Sequence, residues 1–272
     1  MAKVIAIANQ KGGTGKTTTA LNLGAYLAAL GKKVLLVDLD PQGNATGGLG
    51  IKPENLAVHV YHALVGKVPA RDIMRSTGFY GYDLLPAAPD LAGATVELVD
   101  VPEREFKLKN LLDTVSQDYD YIIIDCPPSL GVLTINGLAA ADEVLIPVQA
   151  EFFSLQGVRQ IEDTVKLIQE NFGTDLGILG ALITLYDRRN ASARANAKEL
   201  RRTFGGRVFD TVIPRAIALA DAPARGLTIL QFAPDSPGAH AYRQLAEEIV
   251  NIHSGVLSDT EEEKLQEDIE SE

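Results

Sequence analysis

The chain contains 272 residues, of which 46% are hydrophobic and 22% are charged, so most of it is expected to be globular. This length suits one substantial hydrophobic core, and a single α/β domain is expected rather than two. The only cysteine, Cys126, excludes an internal disulfide and a metal or redox site built from paired cysteines.

The formal net charge of −11 is unevenly distributed along the chain, and two segments have charges of opposite sign. Residues 257–272 hold eight acidic residues and one lysine, so this stretch carries −7 of the total. Residues 186–225 hold nine cations and four acidic residues, which gives that segment a charge of +5. We therefore expect a folded domain over residues 1–254, a disordered acidic tail over 255–272 and a basic patch on an otherwise acidic surface.

No apolar run reaches the roughly 18 residues that indicate a transmembrane helix. The first apolar segment begins at Lys3, which leaves no room for a signal peptide and predicts a cytoplasmic protein. The C-terminal region 242–250 is amphipathic but acidic, and an anionic membrane surface would repel it and the acidic residues beyond it. We therefore expect no membrane partner.

Strand-length apolar runs alternate with helix-length segments, which predicts a mostly parallel, doubly wound sheet covered by helices on both faces. The predicted strands lie near residues 3–9, 33–38, 82–85, 120–125, 143–148, 178–184 and 207–213. The predicted helices lie near residues 16–30, 54–65, 90–98, 104–116, 131–139, 154–172, 190–203, 216–221 and 237–254. Several strand runs are continuously apolar, as expected of central strands buried on both sides.

A glycine-rich loop follows the first predicted strand and precedes the first predicted helix. It reads Lys11-Gly12-Gly13-Thr14-Gly15-Lys16-Thr17-Thr18, with Gln10 where the general pattern has a glycine. The glycines let backbone N–H groups converge on phosphate oxygens, Lys16 can reach the terminal phosphates, and the Thr17 hydroxyl can ligate Mg²⁺. The alternative, glycines that only mark a surface turn, is disfavoured by the strand–loop–helix context.

Carboxylates follow two later strands at the edge where an open parallel sheet binds ligands. Asp125 follows a run of four β-forming residues and can hold Mg²⁺ through a water, because Mg²⁺ keeps part of its hydration shell. Asp38 and Asp40 are two residues apart, a spacing that places both on one side of an extended strand, although this strand ends here. For all three aspartates the alternative is local stabilisation of a turn.

The run from Lys11 to Thr17 resembles the deviant Walker A motif of the ParA/MinD class of P-loop ATPases. In that class the first lysine reaches across a nucleotide-sandwich dimer to the ATP of the other subunit. The resemblance therefore implies ATP as cofactor, an ATP-dependent homodimer, and catalytic roles for Lys11 and Lys16. It extends from about residue 3 to 250 and includes the segments 11–18, 38–44, 125–129, 147–149, 213–215 and 222–226.

The same resemblance assigns further roles to the strand-end residues. Asp40 would position or activate the attacking water, and Asp38 would support the Mg²⁺ hydration shell or the loop. Pro214 would pack on adenine, and residues 11–18 would bind the nucleotide. The chain has no Asn-Lys-x-Asp run, which would have indicated guanine.

Three functional classes compete for such an ATPase. A reductase with a shared iron–sulfur cluster needs two cysteines per subunit and is excluded. A MinD-like, membrane-associated positioning ATPase remains the alternative. A partition ATPase of the ParA/Soj type is favoured by the basic segment, since arginine suits phosphate contacts, although a charged helix face in solvent would look the same.

Membership of the ParA/Soj type would imply ATP-dependent binding to nonspecific double-stranded DNA, stimulation of hydrolysis by a ParB-like partner, and association with the nucleoid. The family often has an arginine where this chain has Ala218, while Arg189 matches another DNA contact. The candidate DNA-binding residues are Arg188, Arg189, Arg194, Arg201, Arg202, Arg215 and Arg225.

Overall fold

The computed structural model describes residues 1–151 and 154–255, and these form one eight-stranded sheet with helices on both faces. The strand order is β3-β4-β2-β5-β1-β6-β7-β8, and every neighbouring pair is parallel except β3 and β4. The strands are β1 (Lys3–Ile7), β2 (Val34–Asp38), β3 (Arg75–Phe79), β4 (Tyr82–Leu85), β5 (Tyr121–Asp125), β6 (Glu143–Gln149), β7 (Gly177–Tyr186) and β8 (Val208–Pro214).

The continuously apolar strands supply two hydrophobic cores, because successive side chains point to opposite faces of the sheet. In β1, Val4 and Ala6 pack into the core on one face, and Ile5 and Ile7 pack into the core on the other. β2 and β5 alternate in the same way. Each fully buried aliphatic side chain contributes about 1.5–3 kcal/mol. A polar residue at these central positions would therefore destabilise one core or the other.

Helices cover both faces of the sheet. The helices α1 (Lys16–Ala29), α2 (Asn44–Gly48), α10 (Ile217–Ala224), α11 (Ile229–Phe232) and α12 (Pro237–Ser254) pack on one face. The helices α3 (Val60–Leu64), α4 (Ala70–Ile73), α5 (Ala94–Glu97), α6 (Lys107–Asp113), α7 (Val132–Ala139), α8 (Ser154–Phe172) and α9 (Ala191–Phe204) lie on the other. Among the described residues, none of these helices combines the length and the hydropathy that a membrane crossing requires.

The two longest surface helices outside α8 have clear end signals. The Asn190 side chain caps α9 by accepting hydrogen bonds from the backbone N–H groups of Ser192 and Ala193. Ser236 caps α12 in the same way, and α12 ends at Gly255, which has a left-handed φ of 73°. The acidic stretch predicted as a tail lies, from residue 256 onward, outside the described residues, so that prediction stays open.

The structure confirms the fold class, and it corrects several predicted elements. The antiparallel edge strand β3 was missed because Arg75-Ser76-Thr77-Gly78-Phe79 has little apolar character. The helix predicted over 54–65 is a 3-10 turn at Pro53–Asn55 followed by the short α3. The helices predicted over 90–98 and 104–116 also begin as 3-10 turns, at Pro89–Gly93 and Arg104–Phe106. The short helices α2 and α11 were not predicted at all.

Candidate functional site

A cavity of about 410 Å³ lies at the carboxyl edge of the sheet. The loops that follow β1, β2 and β5 and the end of strand β7, at Leu185, all contribute to its walls. From the predicted phosphate loop it is lined by Gly12, Gly13, Gly15, Lys16, Thr17 and Thr18, and from the loop after β2 by Asp40, Gln42 and Asn44. The structure therefore brings together the glycine-rich loop and the segment after β2, as the sequence predicts.

The phosphate loop presents unpaired backbone donors to this cavity. Gly13 and Gly15 have φ angles of 74° and 88°, in the left-handed region that side-chain-bearing residues rarely adopt. Among the described residues, no backbone N–H from Gly12 to Thr18 has a hydrogen-bond partner. The loop also leads into the N-terminus of α1, where the helix dipole is positive. The arrangement suits an anion with several oxygens, such as a polyphosphate.

The two lysines of the loop have different surroundings. Lys16 is buried at the base of the cavity, where its Nζ donates a hydrogen bond to the Lys11 carbonyl at 3.2 Å. Burial lowers the pKa of Lys16, and the nearby charges of Asp125 and Asp40 oppose that shift. Lys11 is half-exposed, and its Nζ forms an ion pair with Glu151 at 2.7 Å. Lys16 therefore faces the cavity, and Lys11 is accessible at its mouth.

Asp125 meets the requirements of a residue that holds Mg²⁺ through water. It is fully buried at the end of β5, and neither of its carboxylate oxygens has a hydrogen-bond partner among the described residues. Burial raises the pKa of Asp125 well above its usual range, and the charge of Asp38 raises it further, while Thr17 and Lys16 lower it. Two unsatisfied oxygens at such a position are costly without a cation or water to bind them. Asp125 and the Thr17 hydroxyl therefore fit a magnesium ion.

Asp38 and Asp40 are separated by the end of β2. Asp38 is fully buried, and it accepts hydrogen bonds from the Thr46 backbone N–H at 2.8 Å and the Thr46 hydroxyl at 2.7 Å. Burial raises the pKa of Asp38 to about 6, against the effect of these hydrogen bonds. Asp40 lies beyond the strand, is half-exposed and lines the cavity. Asp38 thus holds the loop after β2 through Thr46, and Asp40 lines the cavity, while a Mg²⁺-supporting role of Asp38 stays a prediction.

The residues proposed for adenine lie at the neighbouring strand ends. Pro214 is the last residue of β8 and pairs in register with Tyr186 of β7. Pro214 lines neither the 410 Å³ cavity nor the smaller cavity next to it. A smaller cavity of about 100 Å³ lies between Leu185, Ile213 and the start of α10, and it shares Gly15 and Thr18 with the larger one. This apolar space next to the phosphate loop is suited to a base or ribose. Because Pro214 does not line it, the adenine role of Pro214 stays a prediction.

The candidate DNA-binding arginines lie on the surface beyond β7 and β8. Arg188 and Arg189 follow β7, Arg194, Arg201 and Arg202 are on α9, Arg215 follows β8, and Arg225 follows α10. Three of them form ion pairs within the chain: Arg189 with Asp187, Arg201 with Asp210 and Arg202 with Glu199. The Arg189 guanidinium lowers the pKa of Asp187 to about 2. Part of the charge of these arginines is thus already paired within the chain, and their role in DNA binding stays a prediction.

Several residues of the site were missed by sequence reasoning. Glu151 pairs with Lys11, and Thr46 anchors Asp38. Gln149 and Thr184 donate hydrogen bonds to carbonyls of the phosphate loop. Gln149 and Thr184 lie at the carboxyl ends of predicted strands, which is the one signal that could have identified them.

Comparison with known proteins agrees with this geometry. Residues 2–178 match a family model described as an AAA domain. The chain is 51% identical over 249 residues to the sporulation initiation inhibitor protein Soj of Bacillus subtilis, covering 92% of this chain and 98% of that protein. It is 52% identical over 246 residues to the chromosome-partitioning ATPase Soj of Thermus thermophilus, covering 90% and 94% of the two chains.

A solved structure has a similar fold. Cobyrinic acid a,c-diamide synthase from Mycobacterium smegmatis, with bound ADP and magnesium, superposes with a TM-score of 0.82 at 42% identity, covering 92% of this chain and 95% of that one. The two relatives and the solved structure each cover at least 90% of this chain, so the likeness is not confined to the phosphate loop. The chain belongs to the Soj/ParA family of chromosome-partitioning P-loop ATPases.

Proposed function

We propose that this chain is an ATP-dependent DNA-partitioning ATPase that binds double-stranded DNA without sequence preference. ATP and Mg²⁺ drive formation of a sandwich homodimer, and the dimer binds the nucleoid in the cytoplasm. Hydrolysis, stimulated by a ParB-like centromere-binding partner, releases the DNA. The observation that supports this most directly is the cavity in which the unpaired N–H groups of the phosphate loop, Lys16 and Asp40 meet, with the unsatisfied Asp125 carboxylate beside it.

The residues of the cavity have distinct chemical tasks in this proposal. The backbone N–H groups of residues 12–18 and the Lys16 ammonium bind the phosphates. Thr17 and, through water, Asp125 hold Mg²⁺, which neutralises charge that develops on the phosphates. Asp40 lies on the open side of the cavity, where its carboxylate accepts a hydrogen bond from, and orients, the attacking water.

The position of Lys11 supports the homodimer. Its ammonium lies at the mouth of the cavity rather than inside it, and its side chain is 49% exposed. It is therefore free to reach a phosphate held by a second copy once it leaves Glu151. Two cations near one phosphate site repel each other, and a triphosphate relieves that repulsion. ATP thus links the two copies more strongly than ADP would.

The exposed arginines support the DNA role. Arg188, Arg215 and Arg225 are exposed and have no ion-pair partner in the part of the chain that the structure describes. In a dimer this surface is present twice, so weak phosphate contacts from each copy add up to useful affinity. Nucleotide-dependent dimerisation would therefore switch DNA binding on.

A DNA-retention experiment tests the proposal. The purified chain is passed over immobilised random-sequence duplex with ATP, ADP or no nucleotide, at increasing salt. We expect retention only with ATP, and a steep loss as salt rises, because phosphate contacts release counterions. The Asp40→Ala variant should be retained with ATP for longer, since it forms the bound state but does not hydrolyse ATP. Equal retention with ADP would contradict a nucleotide switch.

A further inference from the structure

We propose that Gln149 and Thr184 are positioning residues that orient the phosphate loop. The Gln149 side-chain amide donates a hydrogen bond to the Gly13 carbonyl at 2.7 Å. The Thr184 hydroxyl donates one to the Thr14 carbonyl, also at 2.7 Å. Neither side chain lines the 410 Å³ cavity, so both act on phosphates bound there through the loop, while Thr184 also lines the adjoining cavity of about 100 Å³.

The geometry of the trans peptide explains how they act. Within one peptide unit, the C=O of a residue and the N–H of the next residue point in opposite directions. When Gln149 holds the Gly13 carbonyl outside the cavity, the Thr14 N–H is turned the other way. When Thr184 holds the Thr14 carbonyl, the Gly15 N–H is turned in the same manner. Two consecutive donors are thereby aimed before any phosphate arrives, which lowers the ordering cost of binding.

The two donors are placed by the sheet itself. Gln149 ends β6, Thr184 lies in β7, and the two are direct register partners in the parallel pair. Paired residues on neighbouring strands point to the same face, so both side chains reach the loop together. Thr184 is only 2% exposed, and its side chain packs against Gly15, where an added Cβ would lie 3.8 Å from the Thr184 hydroxyl oxygen. The arrangement is therefore rigid on the Thr184 side.

The Thr184 hydroxyl has one proton and two nearby acceptors. The Thr14 carbonyl is at 2.7 Å and the Val148 carbonyl is at 3.2 Å. The shorter contact, to the Thr14 carbonyl, is the better hydrogen bond. The proton therefore serves the phosphate loop. Gln149 is half-exposed, so its bond to Gly13 depends on the loop conformation more than on burial.

Thr184 is tested with a pair of variants. Thr184→Val keeps the volume and removes the donor, while Thr184→Ser keeps the donor. We expect Thr184→Val to weaken ADP binding about tenfold, the size of one lost hydrogen bond, and Thr184→Ser to stay within about twofold. The affinity for inorganic tripolyphosphate should change in parallel in both variants, because this ligand has phosphates for the loop and no base or ribose for the adjoining cavity that Thr184 lines. The affinities are measured by calorimetry or NMR titration.

Gln149 is tested with Gln149→Leu, and the chain offers a matched control. Gln169 also donates a side-chain amide hydrogen bond to a main-chain carbonyl, that of Leu176 at 2.7 Å, away from the phosphate loop. We expect Gln149→Leu to lower ADP affinity at least threefold while the nucleotide-free Tm changes by no more than in Gln169→Leu. Gln169→Leu should bind ADP like the unaltered chain.

The inference rests on nucleotide binding by this site, and the experiment separates the two. If the unaltered chain does not bind ADP, both the inference and the proposed function fall. If it binds ADP, and Thr184→Val and Gln149→Leu bind it equally well, only the inference falls. It also falls if Thr184→Ser loses as much affinity as Thr184→Val, or if tripolyphosphate binding is unchanged while ADP binding weakens.

Discussion

Lys11 and Lys16 are close in the chain, yet the fold gives their ammonium groups separate positions. The Nζ of Lys16 is enclosed at the base of the cavity, beside the carboxylates at the ends of β2 and β5. The Nζ of Lys11 is at the surface, 2.7 Å from Glu151. One cation is thus part of the phosphate site of its own chain, and the other is available to a second chain.

This difference predicts separable effects of two alanine substitutions. Lys16→Ala should abolish nucleotide binding, because it removes the buried cation that faces the phosphates. Lys11→Ala should still bind ATP but remain a monomer, because its ammonium is outside the cavity. Fluorescent-nucleotide titration measures the first effect and sedimentation velocity the second. A Lys11→Ala variant that still dimerises with ATP would remove the sandwich model.

Asp38 predicts a pH-dependent stability. Its folded-state pKa is about 6, above the roughly 3.9 of an unfolded aspartate, because it is buried. Its stabilising contribution is therefore fully present below about pH 4 and is lost as pH rises through 6. The free energy of unfolding of Asp38→Asn, minus that of the unaltered chain, should therefore increase by up to about 3 kcal/mol between pH 4 and pH 7.5.

Urea unfolding without nucleotide at the two pH values measures this change. Asp100→Asn is the control, since Asp100 is exposed and outside the site. Its difference from the unaltered chain should stay within about 0.5 kcal/mol at both pH values. If the difference in unfolding free energy between Asp38→Asn and the unaltered chain did not change with pH, the pKa of Asp38 would be the same in the folded and the unfolded chain. That result would contradict the prediction.

At the scale of elements, α9 carries three of the arginines that we propose contact DNA. It begins at an asparagine cap near the carboxyl edge of the sheet and carries Arg194, Arg201 and Arg202. Arg202 is held by Glu199, three residues earlier on the same helix, with a 2.6 Å contact. A guanidinium that is already bound bidentately to a carboxylate must leave it before it contacts a phosphate. The intrahelical pair would therefore limit the DNA affinity that we propose for this surface.

Glu199→Gln should strengthen DNA binding about two- to threefold, because it frees Arg202 and removes one negative charge from the surface. Fluorescence anisotropy with a random-sequence duplex, in the presence of ATP, measures the effect. Asp113→Asn is the matched control: it removes one charge from the intrahelical pair of Lys109 with Asp113 on α6. Equal gains in both variants would show that only net charge matters.

At the scale of the whole molecule, the sheet gathers the site from distant parts of the chain. The loops after β1, β2 and β5 and the end of β7 meet in one cavity because β1 is central, with β5 and β2 on one side and β6 and β7 on the other. The phosphate loop on β1 is therefore in contact with groups from both halves of the sheet. The mouth of the cavity is open, and Lys11 is at that opening.

An open site with an outward-facing lysine predicts a change of mass on ATP binding. Light scattering of Asp40→Ala, which holds ATP without turnover, should give twice the monomer mass with ATP and the monomer mass with ADP. The combined Asp40→Ala and Lys11→Ala variant should remain a monomer with ATP. An Asp40→Ala chain that binds ATP and stays monomeric would contradict dimerisation on ATP.

Much of the fold followed from local patterns. Each of the seven predicted strands overlaps an observed one, because a run such as Tyr121-Ile122-Ile123-Ile124 is long enough to cross a sheet buried on both faces. The helix boundaries were less accurate where 3-10 turns precede short helices. The strand β3 escaped prediction because an edge strand that is half in solvent needs few apolar residues.

The sequence by itself determined where the phosphate loop, the strand-end aspartates and the basic segment lie, because each is a short motif set by local chain geometry. Only the tertiary structure decided which groups surround them. The bonds from Lys11 to Glu151, from Gln149 to Gly13 and from Thr184 to Thr14 join residues 140, 136 and 170 positions apart. Local periodicity carries no information on such distances, because strand order and register set them, and these appear only once the sheet has formed.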